Sequence, residues 1–223
     1  MKQVLSVFLI FFSITMCAFA ATLSLPNIKV SSDKPLIELL EKRQSNRQFK
    51  TNPLSLEQIS LILWAAAGKK IDSSTSASRT TASAGALYPI EVYLYAKANG
   101  IKNLSGGLYK YLPQEHGLEL FLDNLNKKSF VESCWKQEFV AESPVVIIVC
   151  AYFAKTTEKY GERGNHYVYL DAGHVGQNIY LMATQLNLST VEIGAFDDLQ
   201  VANCLKLDKK LTPIIIMPIG YKK

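Results

Sequence analysis

The chain has 223 residues, 48% of them hydrophobic and 19% charged, and its formal net charge at pH 7 is +5. This length suits one domain or at most two, and the apolar fraction allows a substantial core, so disordered and collagen-like classes are excluded. The basic residues are scattered in short runs such as Lys127-Lys128, without interleaved aromatic residues. This distribution favours a solvated surface over a nucleic-acid interface.

Residues 1–20 have the pattern of a secretory signal peptide. A lysine precedes an apolar run over 4–14, and residues 18–20 (AFA) match a small-x-small cleavage site. The run is shorter than the roughly 20 residues that cross a bilayer, which disfavours a permanent membrane anchor. A lipid anchor at Cys17 is disfavoured because bulky Met16 stands where a small residue is expected. We expect Sec-type export to the periplasm or the cell exterior, with no stable membrane span after cleavage.

A tether and then a folded domain are predicted after the signal peptide. Residues 21–32 form the tether, and the domain covers 33–223 with no evident boundary inside it. Asp33 can cap a first helix, which carries apolar residues at 36, 37, 39 and 40 and runs into the sequence EKRQSNRQF.

The second helix has well-marked ends. Ser55 and Gln58 form a capping box at its start, apolar residues follow at helical spacing, and Gly68 can end it. A loop rich in Ser and Thr covers 69–80. Alternation of apolar with more polar residues over 90–97 then predicts a strand.

Further strands are predicted later in the chain. Residues 107–111 and 118–122 flank the turn sequence PQEHG and predict a hairpin. The apolar run SPVVIIVCAYF predicts a strand buried on both faces, and TPIIIMPIG predicts another near residue 216. STVEIGAF is typical of a short strand.

Three more helices complete the prediction. They cover about 129–138, then 167–186 as the longest helix, and then a segment that Asp197 or Asp198 caps. Helices and strands in this order predict an α+β fold with one mixed central sheet and helices on its faces.

The cysteines exclude a complete disulfide framework and give no spacing for a metal site. Removal of the signal peptide leaves Cys134, Cys150 and Cys204, an odd number that excludes a complete disulfide framework. Cys150 lies inside an apolar strand and is predicted to be a small buried hydrophobic residue. Pairing of Cys134 with Cys204 stays open. No metal-ligand spacing is present, so no metal site is expected.

Three residues after the first helix could hold an anion. Arg43, Ser45 and Arg47 occur at alternate positions, and a guanidinium is a permanently charged, bidentate donor to phosphate. A solvated basic turn has the same composition, and this motif alone favours that alternative.

Two stretches of small residues leave backbone amides uncovered. The sequence SAGA over 83–86 precedes the strand at 90–97, and a flat ring system would fit against it as well as a tight turn would. Gly194 and Ala195 end a predicted strand just before a helix cap, which is a weaker signal of the same kind.

The segment EKYGERGNHYVYLDAGHVGQN concentrates ionisable side chains. They are Lys159, Tyr160, Arg163, His166, Asp171 and His174. Lysine and tyrosine are possible acid-base groups, and Asp171 and His174 would share a helix face. A polar helix start with satisfied histidines is the alternative, and it is favoured for each histidine alone.

In this order, the motifs resemble the nitroreductase superfamily of FMN flavoproteins, and more narrowly its SagB/ThcOx-type dehydrogenase branch. RQSNRQF, SAGALYPIEVY, DAGHVGQN and IGAFDD carry the resemblance, which spans about 36–221. It implies a nitroreductase-like fold with FMN bound without a Rossmann motif. It also implies an intertwined homodimer with two FMN sites, each built from both subunits.

The resemblance assigns roles to individual residues. Those matched to flavin phosphate, ribityl and direct flavin contacts are Arg43, Gln44, Ser45 and Arg47, with Lys222 as a further phosphate candidate. Those matched to the loop against the isoalloxazine ring, often from the partner subunit, are Ser83, Ala84, Gly85 and Ala86. Gly194 and Ala195 match the segment whose amides face the flavin N5 and O4 edge.

Catalysis is also implied by the resemblance. Lys159 and Tyr160 resemble the Lys-Tyr pair of members that oxidise azolines to azoles with FMN. The expected function is an exported FMN-dependent oxidoreductase acting on a small-molecule or peptide substrate. A flavin-binding or partner-binding module without turnover is the alternative, because an exported protein has no assured supply of NAD(P)H.

Overall fold

The computed structural model describes residues 22–29, 34–71 and 78–223. Seven strands form one sheet: β1 (Thr22–Ser24), β2 (Ile90–Ala96), β3 (Gly107–Leu112), β4 (Gly117–Leu122), β5 (Val145–Ala151), β6 (Leu188–Thr190) and β7 (Thr212–Tyr221). Their order across the sheet is β1-β4-β3-β2-β5-β7-β6. The predicted signal peptide and Asp33 lie outside the described residues.

Among the described residues, seven α-helices flank the sheet: α1 (Leu36–Lys42), α2 (Leu56–Ala67), α3 (Lys127–Ser133), α4 (Phe139–Glu142), α5 (Ala154–Tyr160), α6 (Gly164–Gln185) and α7 (Asp198–Cys204). This arrangement confirms the predicted α+β class. It also confirms α2 in detail, because Ser55 and Gln58 form both hydrogen bonds of a capping box and Gly68 is the C-cap.

The sheet is antiparallel rather than mixed. Every paired strand runs opposite to its neighbour. Within the described residues, parallel pairing is confined to isolated bridges, Ser45 with Thr190 and Leu54 with Ile101. A tight connection such as the turn between Leu112 and Gly117 reverses the chain, which produces antiparallel neighbours.

Strand β5 explains the longest apolar run in the sequence. Ile147 and Val149 belong to a core with α2 and α6, whereas Val146, Ile148 and Cys150 belong to a second core with α3, α4 and α7. All seven residues of β5 are buried, because helices cover the sheet on both faces.

Two predicted elements are shorter than expected. The helix predicted over 129–138 is α3, which ends at Ser133, followed by α4; Trp135 and Lys136 between them have φ of 52° and 59°. The strand predicted over STVEIGAF ends at Thr190, although Ile193 still bridges to Ile216 in β7. Helix α5 was not predicted.

The segment 21–32 is not wholly a free tether. Thr22–Ser24 pairs with β4, and Leu25 is only 6% exposed. Residues 22–25 thus belong to the folded domain, because β4 has an edge with which β1 can pair and the core has an apolar site for Leu25.

The three cysteines of the predicted mature chain are free thiols. Cys150 is fully buried in β5, as predicted. Cys134 is the C-cap of α3, whereas the Cys204 Sγ lies 3.9 Å from the carbonyl of Asn126, the N-cap of α3. No disulfide joins these two residues in the structure.

Candidate functional site

The basic motif after α1 presents two guanidinium groups without acidic partners. Arg43 Cζ lies 5.0 Å from the ring centroid of Tyr180, and Arg47 Cζ lies 5.9 Å from that of Phe139. Ser45 Oγ lies 2.9 Å from Tyr180 Oη. Neither arginine forms an ion pair within the described ranges. Their charges are therefore available to an anionic ligand.

Backbone pairing sets the position of this motif. Asn46 N donates to Thr190 O of β6 at 2.9 Å, and Lys50 N donates to Tyr221 O of β7 at 2.9 Å. Phe49 forms an antiparallel bridge with Lys222, which brings that exposed lysine alongside the motif. Gln44 and Arg47 are also exposed. The structure thus brings the predicted phosphate-binding residues to one edge of the sheet.

The segment after β6 offers unpaired backbone donors. Ile193 N donates to Ile216 O at 3.0 Å, and Asp197 N donates to Ser133 O at 2.9 Å. Between them, the amides of Gly194, Ala195 and Phe196 find no acceptor within the described part of the chain. Gly194 and Ala195 are exposed, so their amides can serve an external acceptor.

The loop over 83–86 is held by a buried carboxylate. Ser83 Oγ donates to Asp171 Oδ2 at 2.6 Å, and Ala84 N donates to Asp171 Oδ1 at 3.3 Å. Burial raises the pKa of Asp171, while the bonds from Ser83 and Ala84 and the nearby His174 act in the opposite direction. Asp171 thereby ties the loop to α6.

The same loop carries backbone strain. Gly85, Ala86 and Tyr88 have φ of 60°, 55° and 48°. The left-handed region is disfavoured for residues with a Cβ, and such strain concentrates at functional sites.

The predicted Lys-Tyr pair lies against this loop. A Cβ added to Gly85 would lie 2.5 Å from Tyr160 Oη and 2.9 Å from Lys159 Nζ. The Tyr160 ring packs edge-on against Tyr167 with centroids 5.1 Å apart. The structure therefore brings the predicted acid-base pair and the predicted ring-side loop together.

Helix α6 joins the two halves of the candidate site. Asp171 contacts the loop, and Tyr180 contacts Arg43 and Ser45. Tyr180 is nine positions after Asp171, which is about 13 Å along a helix axis. Between them, Gly176 makes room for the Glu192 carboxylate, with which a Cβ would collide. Within one chain the halves are thus adjacent but distinct.

Sequence reasoning missed two residues that organise the site. Tyr180 Oη also accepts a hydrogen bond from Glu192 N at 2.7 Å, so it joins the basic motif to the segment after β6. Gln137 Nε2 donates to Ala195 O at 2.7 Å. The sequence could have indicated Tyr180, because it comes directly after Ile179, a residue of the predicted apolar stripe of α6. No sequence pattern indicated Gln137.

Comparison with known proteins identifies the family. A model described as the nitroreductase family matches residues 40–221. The chain belongs to the nitroreductase family. A Methanocaldococcus jannaschii protein named as a candidate nitroreductase is 38% identical over 200 residues, covering 90% of this chain and 96% of that protein. Nitroreductase-family proteins are generally FMN-dependent oxidoreductases.

A second relative is the microcin B17-processing protein McbC of Escherichia coli. It is 31% identical over 150 residues, which are 65% of this chain and 55% of McbC. This similarity agrees with the predicted SagB-type branch of the nitroreductase family.

Solved structures confirm the predicted nitroreductase-like fold. A candidate nitroreductase from Ralstonia eutropha gives a TM-score of 0.76 at 29% identity, over 91% of this chain and 90% of that one. A chain of the E. coli microcin synthetase McbBCD complex with truncated pro-MccB17 bound gives 0.68 at 26% identity, over 100% of this chain and 79% of that one.

The residues of the candidate site fit FMN. Unpaired guanidinium groups suit a phosphate, unpaired amides suit the acceptor atoms at a flavin ring edge, and small side chains leave a flat surface for the ring. Within the described ranges, no group of three or more His, Cys, Asp or Glu residues could hold a metal ion. No helix there is long and apolar enough to cross a membrane.

Proposed function

We propose that this chain is an exported FMN-dependent oxidoreductase that passes hydride or electrons between bound FMN and a small-molecule or peptide substrate. The observation that carries the proposal is that, among the described residues, the amides of Gly194, Ala195 and Phe196 and the cations Arg43 and Arg47 lie at one edge of the sheet without acceptors or acidic partners. Family membership supports the cofactor, and the sequence pattern of residues 1–20 supports export.

The chain's own residues would bind and orient the cofactor. Arg43, Arg47 and Lys222 would hold the phosphate, with Ser45 as a hydroxyl partner. The amides of Gly194 and Ala195 would donate to the ring edge, where fixed donors need no reorganisation during the reaction. When bound, FMN supplies the redox chemistry.

Lys159 and Tyr160 would donate or accept a proton next to the loop over 83–86. Tyr160 Oη and Lys159 Nζ both lie against Gly85, which places an acid-base pair beside the proposed ring surface. We expect Tyr160→Phe to lower turnover while leaving FMN affinity unchanged. Equal turnover on every accepted substrate would remove the pair from catalysis.

Reconstitution tests the cofactor assignment. We expect the protein purified without residues 1–20 to bind FMN at micromolar concentration and to perturb its absorption spectrum. Absence of binding at that concentration would overturn the proposal. A screen of nitroaromatics, quinones and azoline-containing peptides would then identify the substrate class, with the azolines motivated by the similarity to McbC.

A binding module without turnover is the second candidate, and predicted export away from cellular NAD(P)H favours it. The two candidates differ in one measurement. FMN is bound and reduced chemically, and its reoxidation by each acceptor is timed. Reoxidation no faster than that of free FMN would favour the binding module.

The proposed oxidoreductase would be a homodimer. Helix α6 exposes Tyr169 and Leu170, which are 58% and 59% exposed, and α1 exposes three more large apolar residues. These are Leu36, Ile37 and Leu40. A cavity of about 620 Å³ opens between α1, α2 and α6, and none of the predicted flavin-binding residues lines it. A second copy of the chain would cover this apolar face.

A further inference from the structure

The segment that presents the free amides is fixed at alternate residues. Ile193 is bonded to β7, Asp197 is bonded to Ser133, and the carbonyl of Ala195 between them accepts from Gln137 Nε2 at 2.7 Å. Of these three contacts, the one at Ala195 is the only one made by a side chain. A substitution can therefore remove it without altering the backbone bonds on either side.

The bond to Ala195 constrains the direction of the neighbouring amides. A peptide unit is planar, and its C=O and N–H point in opposite directions. When the Ala195 carbonyl points at Gln137, the Phe196 N–H points away from Gln137. The dihedral angles of Ala195 are then restricted, and with them the direction of its own N–H.

The Gln137 side chain is itself held. Its Nε2 also donates to Cys134 O at 3.0 Å, so both amide hydrogens have an acceptor. The turn that delivers it contains Trp135 and Lys136 with φ of 52° and 59°. The left-handed region is disfavoured for residues with a Cβ, so the surrounding contacts must stabilise this turn.

We propose that Gln137 is a positioning residue, which fixes the amides of Ala195 and Phe196 in the direction that a flavin ring edge requires. The proposal rests on the proposed function for its ligand. Gln137 acts through Ala195, so its loss should change how strongly the protein prefers one redox form of FMN.

The test compares Gln137→Met with the parent protein. Methionine matches glutamine in length but cannot donate a hydrogen bond. In the flavin-free protein, we expect the NMR amide shifts of Gly194, Ala195 and Phe196 to move. With FMN, we expect the ratio of the affinities for oxidised and reduced flavin to change at least threefold. Gln137→Asn should have the same effect as Gln137→Met, because the shorter asparagine side chain cannot reach the Ala195 carbonyl.

Gln200→Met is the matched control. Gln200 lies on α7 next to the same segment, but its Nε2 bonds to Asp197 Oδ2 rather than to Ala195. Gln200→Met should leave the ratio of the affinities for oxidised and reduced flavin at the value of the parent protein. Unmoved shifts in Gln137→Met, or an unchanged ratio in a parent that binds FMN, would overturn the positioning role alone. A parent that does not bind FMN would instead overturn the proposed function.

Discussion

At the scale of single residues, the loop over 83–88 has a strained backbone and packs against the proposed acid-base pair. Gly85 has φ of 60°, and its missing side chain leaves the space where Tyr160 Oη and Lys159 Nζ lie. Glycine is thus required at this position by the backbone angle and also by the neighbouring side chains.

Gly85→Ala should destabilise the protein. We expect a loss of roughly 1–2 kcal/mol from the left-handed backbone, with a further loss from the collision with Tyr160. Chemical denaturation measures this change in the free energy of unfolding. Ala86→Gly is the comparison, because relief of the same strain should leave stability equal or slightly higher. Equal stability of Gly85→Ala and the parent would contradict the packing described for this loop.

Arg47→Ala tests the phosphate side of the site. Loss of a charge-assisted hydrogen bond should weaken FMN binding by roughly 1.5–3 kcal/mol, measured by fluorescence titration. Lys128→Ala removes an exposed cation on α3 and should leave the affinity unchanged. An Arg47→Ala protein with parental affinity would exclude this arginine from the site.

Charge and size made part of the site predictable. Arg43, Ser45 and the 83–86 loop are visible in the sequence because their chemistry resides in the residue types. Tyr180 and Gln137 act through contacts across 135 and 58 residues of chain. No local pattern encodes such contacts, so only the fold reveals them.

At the scale of elements, a polar network fastens the N-terminal segment beside β1. His116 Nε2 lies 2.8 Å from Ser60 Oγ on α2 and 3.2 Å from Pro26 O, and its Nδ1 lies 2.9 Å from Tyr111 Oη. Burial lowers the pKa of His116, and the bond to Pro26 opposes the shift. The folded protein therefore favours the neutral imidazole.

This network predicts a pH dependence of stability. Because the folded pKa of His116 is below the unfolded value of about 6.5, its contribution is complete above that value and is lost as pH falls below it. His116→Asn tolerates the φ of 45° and cannot titrate. The free energy of unfolding of the parent should fall relative to this variant between about pH 7 and 5. If the free energies of unfolding of the parent and the variant had the same pH dependence, His116 would not be the titrating group.

Element predictions succeeded where the signals are local. The capping box of α2 involves residues three apart, and β5 is marked by an uninterrupted apolar run. Strand β1 has three exposed residues and forms only because β4 offers a free edge. Its existence depends on a partner about 95 residues away, which sequence periodicity does not record.

At the scale of the whole molecule, the exposed apolar face of α1 and α6 sets the expected assembly. We expect sedimentation at twice the mass of one chain. Leu170→Glu should shift the protein to monomer, because it places a charge on the apolar surface that the second copy is proposed to cover. Leu199→Glu, on the 77% exposed Leu199 of α7, is the control and should remain dimeric. A monomeric parent would overturn the dimer.

The order of the strands has a consequence for synthesis. Strand β7 lies between β5 and β6, yet its residues, 212–221, are made after both. Until β7 arrives, β5 has one unpaired edge and carries seven consecutive uncharged residues. Such a segment is a template for intermolecular β-pairing. A nascent or truncated chain that lacks 212–221 should therefore aggregate. Chaperones that bind apolar extended segments should bind such a chain at Val145–Ala151.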